Sequence, residues 1–228
     1  MNTKIGCLII HGFAGNLDEI EPLNSALIEQ GFITSCPILS GHMTTKSDMA
    51  SANYSQWLQD GENAFLELKK SCDQIFVIGF SMGGLVGVHV ASEHKIAGLI
   101  TLNSPIYHWD LKIVAKNIFQ DMKDSNLNHV KHYLNAGIEI PLLSMLNFKM
   151  LVAKVKGELP NVKCPILIAQ GLDDDTVHKK SAAYILAHVG SSYKQLIHYD
   201  RANHVICHSL DFSDLRDDIL KFIDEIHI

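Results

Sequence analysis

The run Val77-Ile78-Gly79-Phe80-Ser81-Met82-Gly83-Gly84 constrains what this chain can fold into more tightly than any other stretch. Apolar, partly β-branched residues lead into Gly-Phe-Ser-Met-Gly, and from Leu85 to His94 the spacing becomes helical. A strand, a sharp turn and a helix are therefore predicted in direct succession. In so tight a turn the residues two before and two after the serine approach each other, and Gly79 and Gly83 omit the side chains that would collide. Ser81 is then held outward, as a nucleophile must be. The pentapeptide is short enough to arise by chance, and a glycine-rich turn with a helix-capping serine also fits it. The rest of the chain has to decide.

On either side of this turn, apolar runs alternate with amphipathic segments. Strands are predicted at Ile5 to Ile10, Phe32 to Leu39 (irregular near Pro37), Gln74 to Phe80 and Ile96 to Asn103. Helices are predicted from Asp18 to Gln30 with Gly31 as terminator, from Tyr54 to Lys70 and from Ser81 to His94. Between about Pro105 and Pro160 the alternation stops, leaving Met- and Leu-rich helical segments at Trp109 to Met122, Leu127 to Leu134 and Leu142 to Val155. It resumes with strand Ile166 to Gln170, helix Ser181 to His188, strand Lys194 to Tyr199 and a last helix near Asp211 to Ile226. Such alternation predicts an α/β fold: a mainly parallel sheet of about six strands with helices on both faces. With 228 residues, 47% of them hydrophobic, one domain over 1–228 with an inserted helical cap at about 105–160 is expected.

The net charge is −6 and the basic residues are scattered, which excludes the concentrated positive surface that nucleic acid or anionic lipid requires. The five cysteines form no CxxC pair and sit in or beside apolar runs, as buried reduced thiols do. The apolar run before His11 is too short for a signal-peptide core or a membrane span, so a cytoplasmic protein with no integral membrane segment is expected.

In a parallel sheet of this kind, ligands bind beyond the carboxyl ends of the strands. There lie His11 to Phe13, Ser81, Asp173 to Asp175, and His204. A serine hydroxyl needs a histidine to take its proton, and that histidine needs a carboxylate to fix its tautomer. The chain order Ser81, Asp174, His204 provides all three. Among later histidines, His178 and His188 fall in the next helix, His198 inside a strand and His227 at the terminus; His208 is the competitor to His204. Cys207 with His204 and His208 could also be read as metal ligands, but no HExxH-type carboxylate accompanies them, and no metal is expected. Asp174 is preferred as the acid, with Asp173 and Asp175 as capping or solvated alternatives. For the developing oxyanion, the backbone amides of Met82 and Phe13 are the candidate donors, with His11 as a buried brace of the first loop.

Taken together, these residues resemble the α/β-hydrolase superfamily, and within it the small bacterial carboxylesterases related to monoacylglycerol lipases. The likeness runs through His11-Gly12-Phe13-Ala14-Gly15-Asn16, Pro37 with Gly41-His42, Gly79-Phe80-Ser81-Met82-Gly83-Gly84, Gly171 to Val177, and Asn203-His204-Val205-Ile206. The family's Gly-x-x-Asp-x-x-Val pattern falls on Gly171, Asp174 and Val177, and its terminal histidine on His204. The resemblance implies a serine hydrolase acting without cofactor on short- to medium-chain esters, and on monoacylglycerols. Thioester hydrolysis, acyl transfer, or ligand binding on a hydrolase scaffold are the alternatives. Two departures stand out: Gly41-His42-Met43 replaces the family's Gly-His-Gly, and the family's antiparallel strands before the strand carrying His11 are expected to be absent. The insertion matches the position of the family's cap, where Ile106, Trp109, Leu143 and Met145 are expected to face the acyl chain.

Overall fold

Strands β1 (Ile5–Ile10), β2 (Ile33–Ser35), β3 (Gln74–Phe80), β4 (Gly98–Leu102), β5 (Ile166–Gly171) and β6 (Lys194–Tyr199) form one sheet in the order β2-β1-β3-β4-β5-β6. Every neighbouring pair is parallel, with Ile10 opposite Gly79 and Phe80 opposite Leu102. The structure is a computed structural model that describes residues 3–107 and 141–227. Trp109 and the helices predicted at Trp109 to Met122 and Leu127 to Leu134 lie outside those residues.

Seven α-helices are described: α1 (Glu21–Glu29), α2 (Lys46–Ser51), α3 (Tyr54–Leu68), α4 (Met82–Glu93), α5 (Leu142–Glu158), α6 (Lys180–His188) and α7 (Phe212–His227). Because side chains alternate along a strand, the central strands feed two separate cores. Leu8, Ile10 and Val77 pack with Trp57, Leu85, Leu151 and Ile185 of α3, α4, α5 and α6, whereas Cys7, Ile9, Phe76 and Ile78 pack with Leu23, Ile219 and Phe222 of α1 and α7. Trp57, Phe76 and Phe222 are fully or almost fully buried, each contributing about 2 to 3 kcal/mol of transfer free energy. Helix α4 is buried from Met82 through Ala91, so it carries little amphipathic signal; it lies under α3 and α5 rather than facing solvent.

Three elements depart from their sequence expectation. Strand β2 stops at Ser35 instead of Leu39, because Pro37 has no amide to donate to the ladder. Helix α2 was hidden in what reads as a loop, although Thr45 and Asp48 form a reciprocal capping box at its start. Helix α5 runs past Val155 to Glu158. Its inner face buries Leu151, Val152 and Val155, while Leu142, Leu143, Met145, Leu146 and Met150 are exposed. Among the described residues no helix is long and apolar enough to cross a membrane.

Candidate active site

The carboxyl ends of β1, β3, β5 and β6 bring the candidate residues to one edge of the sheet. Ser81 sits between β3 and α4 with φ 51° and ψ −120°, a left-handed conformation that only surrounding structure can impose on a serine. Its amide donates to the Leu102 carbonyl at 2.8 Å, so β4 holds the turn from the side. A Cβ on Gly79 would lie 2.3 Å from the backbone of Gly83, and one on Gly83 would lie 2.1 Å from the Ile10 carbonyl. Both glycines are therefore steric requirements of the turn and of its approach to β1.

Asp174 and His204 meet across the β5 and β6 loops. The His204 Nδ1 is 3.0 Å and 3.2 Å from the two Asp174 carboxylate oxygens. A carboxylate only accepts, so Nδ1 carries the proton and, in the neutral ring, Nε2 is left with the free lone pair. Asp174 is almost fully buried and its Oδ1 also accepts from the amides of Thr176 and Val177, at 2.9 Å and 2.8 Å. It thus anchors its own loop as well as the ring. The His204 imidazole packs against Phe80, the residue before Ser81, with ring centroids 5.1 Å apart. Burial disfavours its positive charge, but the charge and hydrogen bond of Asp174, joined by Glu19 and Asp175, outweigh that and hold its pKa above the ordinary histidine value.

The competing histidines are elsewhere engaged. His208 lies 2.6 Å from the Asp18 carbonyl, His188 stacks on Tyr184, His227 bonds Gln74, and His198 is exposed on β6. His178 accepts from the Lys180 amide.

In the first loop, His11 is wholly buried, donating through Nδ1 to the Gly12 carbonyl at 2.8 Å and accepting at Nε2 from the Leu39 amide at 3.1 Å. Burial pushes its pKa down to about 4, so it is a neutral brace. Glu19, which the sequence did not single out, accepts from the Gly12 amide at 3.3 Å, and burial raises its carboxyl above the usual range. The Phe13 ring stacks on Phe148 of α5 at 4.9 Å and meets Trp57 edge-on at 5.7 Å. His42 completes this wall at 5.8 Å from Trp57. The amides of Phe13 and Met82, the candidate oxyanion donors, make no hydrogen bond among the described residues, as a first-turn helical amide such as that of Met82 does by construction.

The structure separates the four cap candidates. Ile106 is buried in the core formed with α4 and α5, Leu143 and Met145 lie on the exposed side of α5, and Trp109 is outside the described residues.

One further group could hold a metal: ligand atoms of His89, Glu93 and Glu158 lie within 4.8 Å of one another, on the far part of α4 and the end of α5. Here, however, His89 Nδ1 is 3.1 Å from both Glu158 oxygens and Nε2 is 3.2 Å from Glu62, while Lys154 lies 2.7 Å from Glu158. A carboxylate near each ring nitrogen favours the imidazolium form of His89, which then balances the charge and ties α3, α4 and α5 together. Burial opposes its charge, but the hydrogen bond and charge of Glu158, with the charge of Glu62, prevail and raise its pKa. A raised pKa contributes stability below the unfolded value and loses it as pH rises through the folded one. His89→Gln is accordingly expected to cost about 3 kcal/mol near pH 6, and less with rising pH, in urea melts of the two proteins at each pH; a pH-independent difference would refute the ion-pair account.

A family model described as the alpha/beta hydrolase fold matches residues 8–136, more than half of the chain. The chain is 29% identical over 213 residues to a thermostable monoacylglycerol lipase of Bacillus sp. (strain H-257), covering 90% of this chain and 84% of that protein. It is 20% identical over 226 residues to a carboxylesterase of Bacillus subtilis (strain 168), covering 96% and 92%. Among solved structures, one reported for the metagenome-derived lipolytic enzymes LipS and LipT superposes with a TM-score of 0.82 at 24% identity, over 98% of this chain and 94% of that one. A soluble variant of the monoglyceride lipase of Saccharomyces cerevisiae, bound to a substrate analog, gives 0.76 at 19% identity, over 98% and 87%.

Proposed function

The chain belongs to the alpha/beta hydrolase fold family, and from that premise we propose that it is a serine carboxylesterase acting on short- to medium-chain esters, including monoacylglycerols. The observation that carries the reading is the His204–Asp174 pair packed on Phe80, one residue from a serine held in a left-handed turn. In the proposed reaction His204 Nε2 takes the proton of Ser81 Oγ as the oxygen attacks the ester carbonyl, and the amides of Phe13 and Met82 receive the oxyanion. His204 then returns the proton to the leaving alkoxide. A water attacks the acyl-enzyme by the same route in reverse, releasing the acid and restoring Ser81. Asp174 keeps Nδ1 protonated throughout and stabilises the imidazolium between the two proton transfers.

The ester substrate class is supported by the relatives, a monoacylglycerol lipase and a carboxylesterase. Within the insertion at 105–160, Leu143 and Met145 on α5 and Trp109 are proposed to meet the acyl chain, and Ile106, buried in the core with α4 and α5, is proposed to form part of the floor. The five unpaired thiols fit a reducing, cytoplasmic location.

Labelling with a fluorophosphonate followed by peptide mapping, then kcat/KM for p-nitrophenyl esters, monoacylglycerols and acyl-CoA of matched chain length, tests the proposal. Modification at Ser81 and a preference for oxygen esters of about tenfold or more over the thioester are expected. Label on another residue, or turnover confined to acyl-CoA, would overturn it.

A further inference from the structure

Leu102 and Asn103, at the end of β4, take no part in the proton transfers described above, yet they bond to the turn at Ser81, to the end of β5 and to the His204 loop. The Leu102 carbonyl accepts the Ser81 amide. The Asn103 side chain is completely buried, and its four hydrogen bonds end at the last two residues of β5, just before the Asp174 loop, and at the loop that carries His204. Its Oδ1 accepts from the Gly171 amide at 2.7 Å and from Gln170 Nε2 at 3.1 Å. Its Nδ2 donates to the carbonyls of Asn203 and His204, at 2.9 Å and 2.8 Å. These partners fix which end of the amide is oxygen, since a backbone amide can only donate and a carbonyl can only accept.

The backbone at Asn103 is itself constrained. Its φ is 47°, in the left-handed region that asparagine tolerates better than other residues with a side chain, and its amide is fixed to the Ala169 carbonyl of β5 at 2.9 Å. The carboxamide thus projects from a rigid strand end into the seam between β5 and the His204 loop. That seam is narrow: a Cβ on Gly171 would lie 2.4 Å from the Ala202 carbonyl. Any residue with only donors or only acceptors would leave buried backbone groups unpaired on one side of the seam.

We propose that Asn103 is a positioning residue for the base: its carboxamide holds the His204 backbone against the end of β5, and so sets the alignment of the imidazole between Asp174 and Ser81. The inference rests on the reading of His204 as the base. It differs from general core packing because the bonds reach the main chain of His204 itself, while the ring is left for Asp174. The charged or titratable groups that bear on that ring are Asp174 and Asp175 from the β5 loop and Glu19 from the turn after β1. None of them replaces the link that Asn103 makes.

Two substitutions test it. Asn103→Asp preserves shape and the acceptor for Gly171 but sets an oxygen against two carbonyls; Asn103→Gly keeps the left-handed backbone and removes all four bonds. For whichever variant shows wild-type circular dichroism, rates are taken per active site titrated with fluorophosphonate. With p-nitrophenyl butyrate, kcat is expected to fall about 100-fold, the size of effect that a displacement of about 1 Å produces, with KM changed by less than about threefold. The acidic limb of the kcat/KM profile is expected to move down in pH as His204 loses its register with Asp174. A folded variant with kcat within about threefold of wild type and an unmoved limb overturns the proposal. So does a loss confined to the fraction of folded protein. The underlying reading fails separately, through an unlabelled Ser81 or a wild-type acidic limb that owes nothing to histidine.

Discussion

Replacing Ser81 with alanine is expected to lower kcat for p-nitrophenyl butyrate by roughly 10⁴- to 10⁶-fold, with the melting temperature unchanged within about 3 °C. The separation of the two effects follows from the turn. Its shape is imposed by Gly79, Gly83 and the Leu102 carbonyl, none of which the substitution alters, and alanine experiences the same left-handed strain that serine already bears. Only the proposed nucleophile disappears. Because Ser81 and His204 are proposed to act as one unit, His204→Ala added to Ser81→Ala should cost almost nothing more. Stopped assays on active-site-verified protein with calorimetry in parallel decide the matter, and a single variant that keeps a tenth of the wild-type rate removes Ser81 from the mechanism.

Asp174→Asn has the second-largest expected effect, and its logic is a matter of donors and acceptors. Oδ1 of Asp174 accepts the amides of Thr176 and Val177, so an asparagine keeps its oxygen there and turns its NH2 group toward His204 Nδ1. A donor facing Nδ1 forces that nitrogen to accept, and the ring proton moves to Nε2. His204 then has no lone pair for the hydroxyl proton of Ser81. A fall in kcat of about 10⁴-fold is expected, with the loop intact. The pH profile carries a second signature. In the wild type, a protonated His204 could not serve as the proposed base, so activity is expected to be lost as pH falls through a value raised above the ordinary histidine pKa of about 6.5. Without the Asp174 charge, burial is the dominant influence left, and the limb of the residual activity should drop to lower pH. An unshifted limb in Asp174→Asn would assign the titration to another group.

Much of this was legible in the residues, for reasons that can be named. The turn at Ser81 announces itself because its glycines are needed within five positions of each other, and β3 and β5 because strands buried on both faces are written as unbroken apolar runs. The loop from Gly171 to Val177 reads correctly because its turn is made by Asp174 and its own near neighbours. Asn103 and Glu19 were not legible. Asn103 gains its meaning from Gly171 and His204, 68 and 101 positions away, and sequence spacing says nothing about such a meeting. The signal available was an asparagine directly after a buried strand, at the edge where ligands bind. Glu19 reads as an ordinary acid in a helix entry until Gly12 and Gly15 are seen to leave it room. The imidazolium of His89 was hidden in the same way, since Glu62 and Glu158 come from helices far apart in the chain.

The wholly parallel sheet has a consequence for how the chain acquires activity. Each parallel neighbour is reached by a crossover, so the groups at the sheet edge are collected from residue 11 to residue 204 and no hairpin can assemble them locally. A chain ending after β4 would contain the whole turn at Ser81 but neither Asp174 nor His204, which follow β5 and β6 and are the proposed acid and base. On the proposed roles, competence belongs only to the complete sheet, and a copy truncated after β4 is expected to carry Ser81 in an inert form.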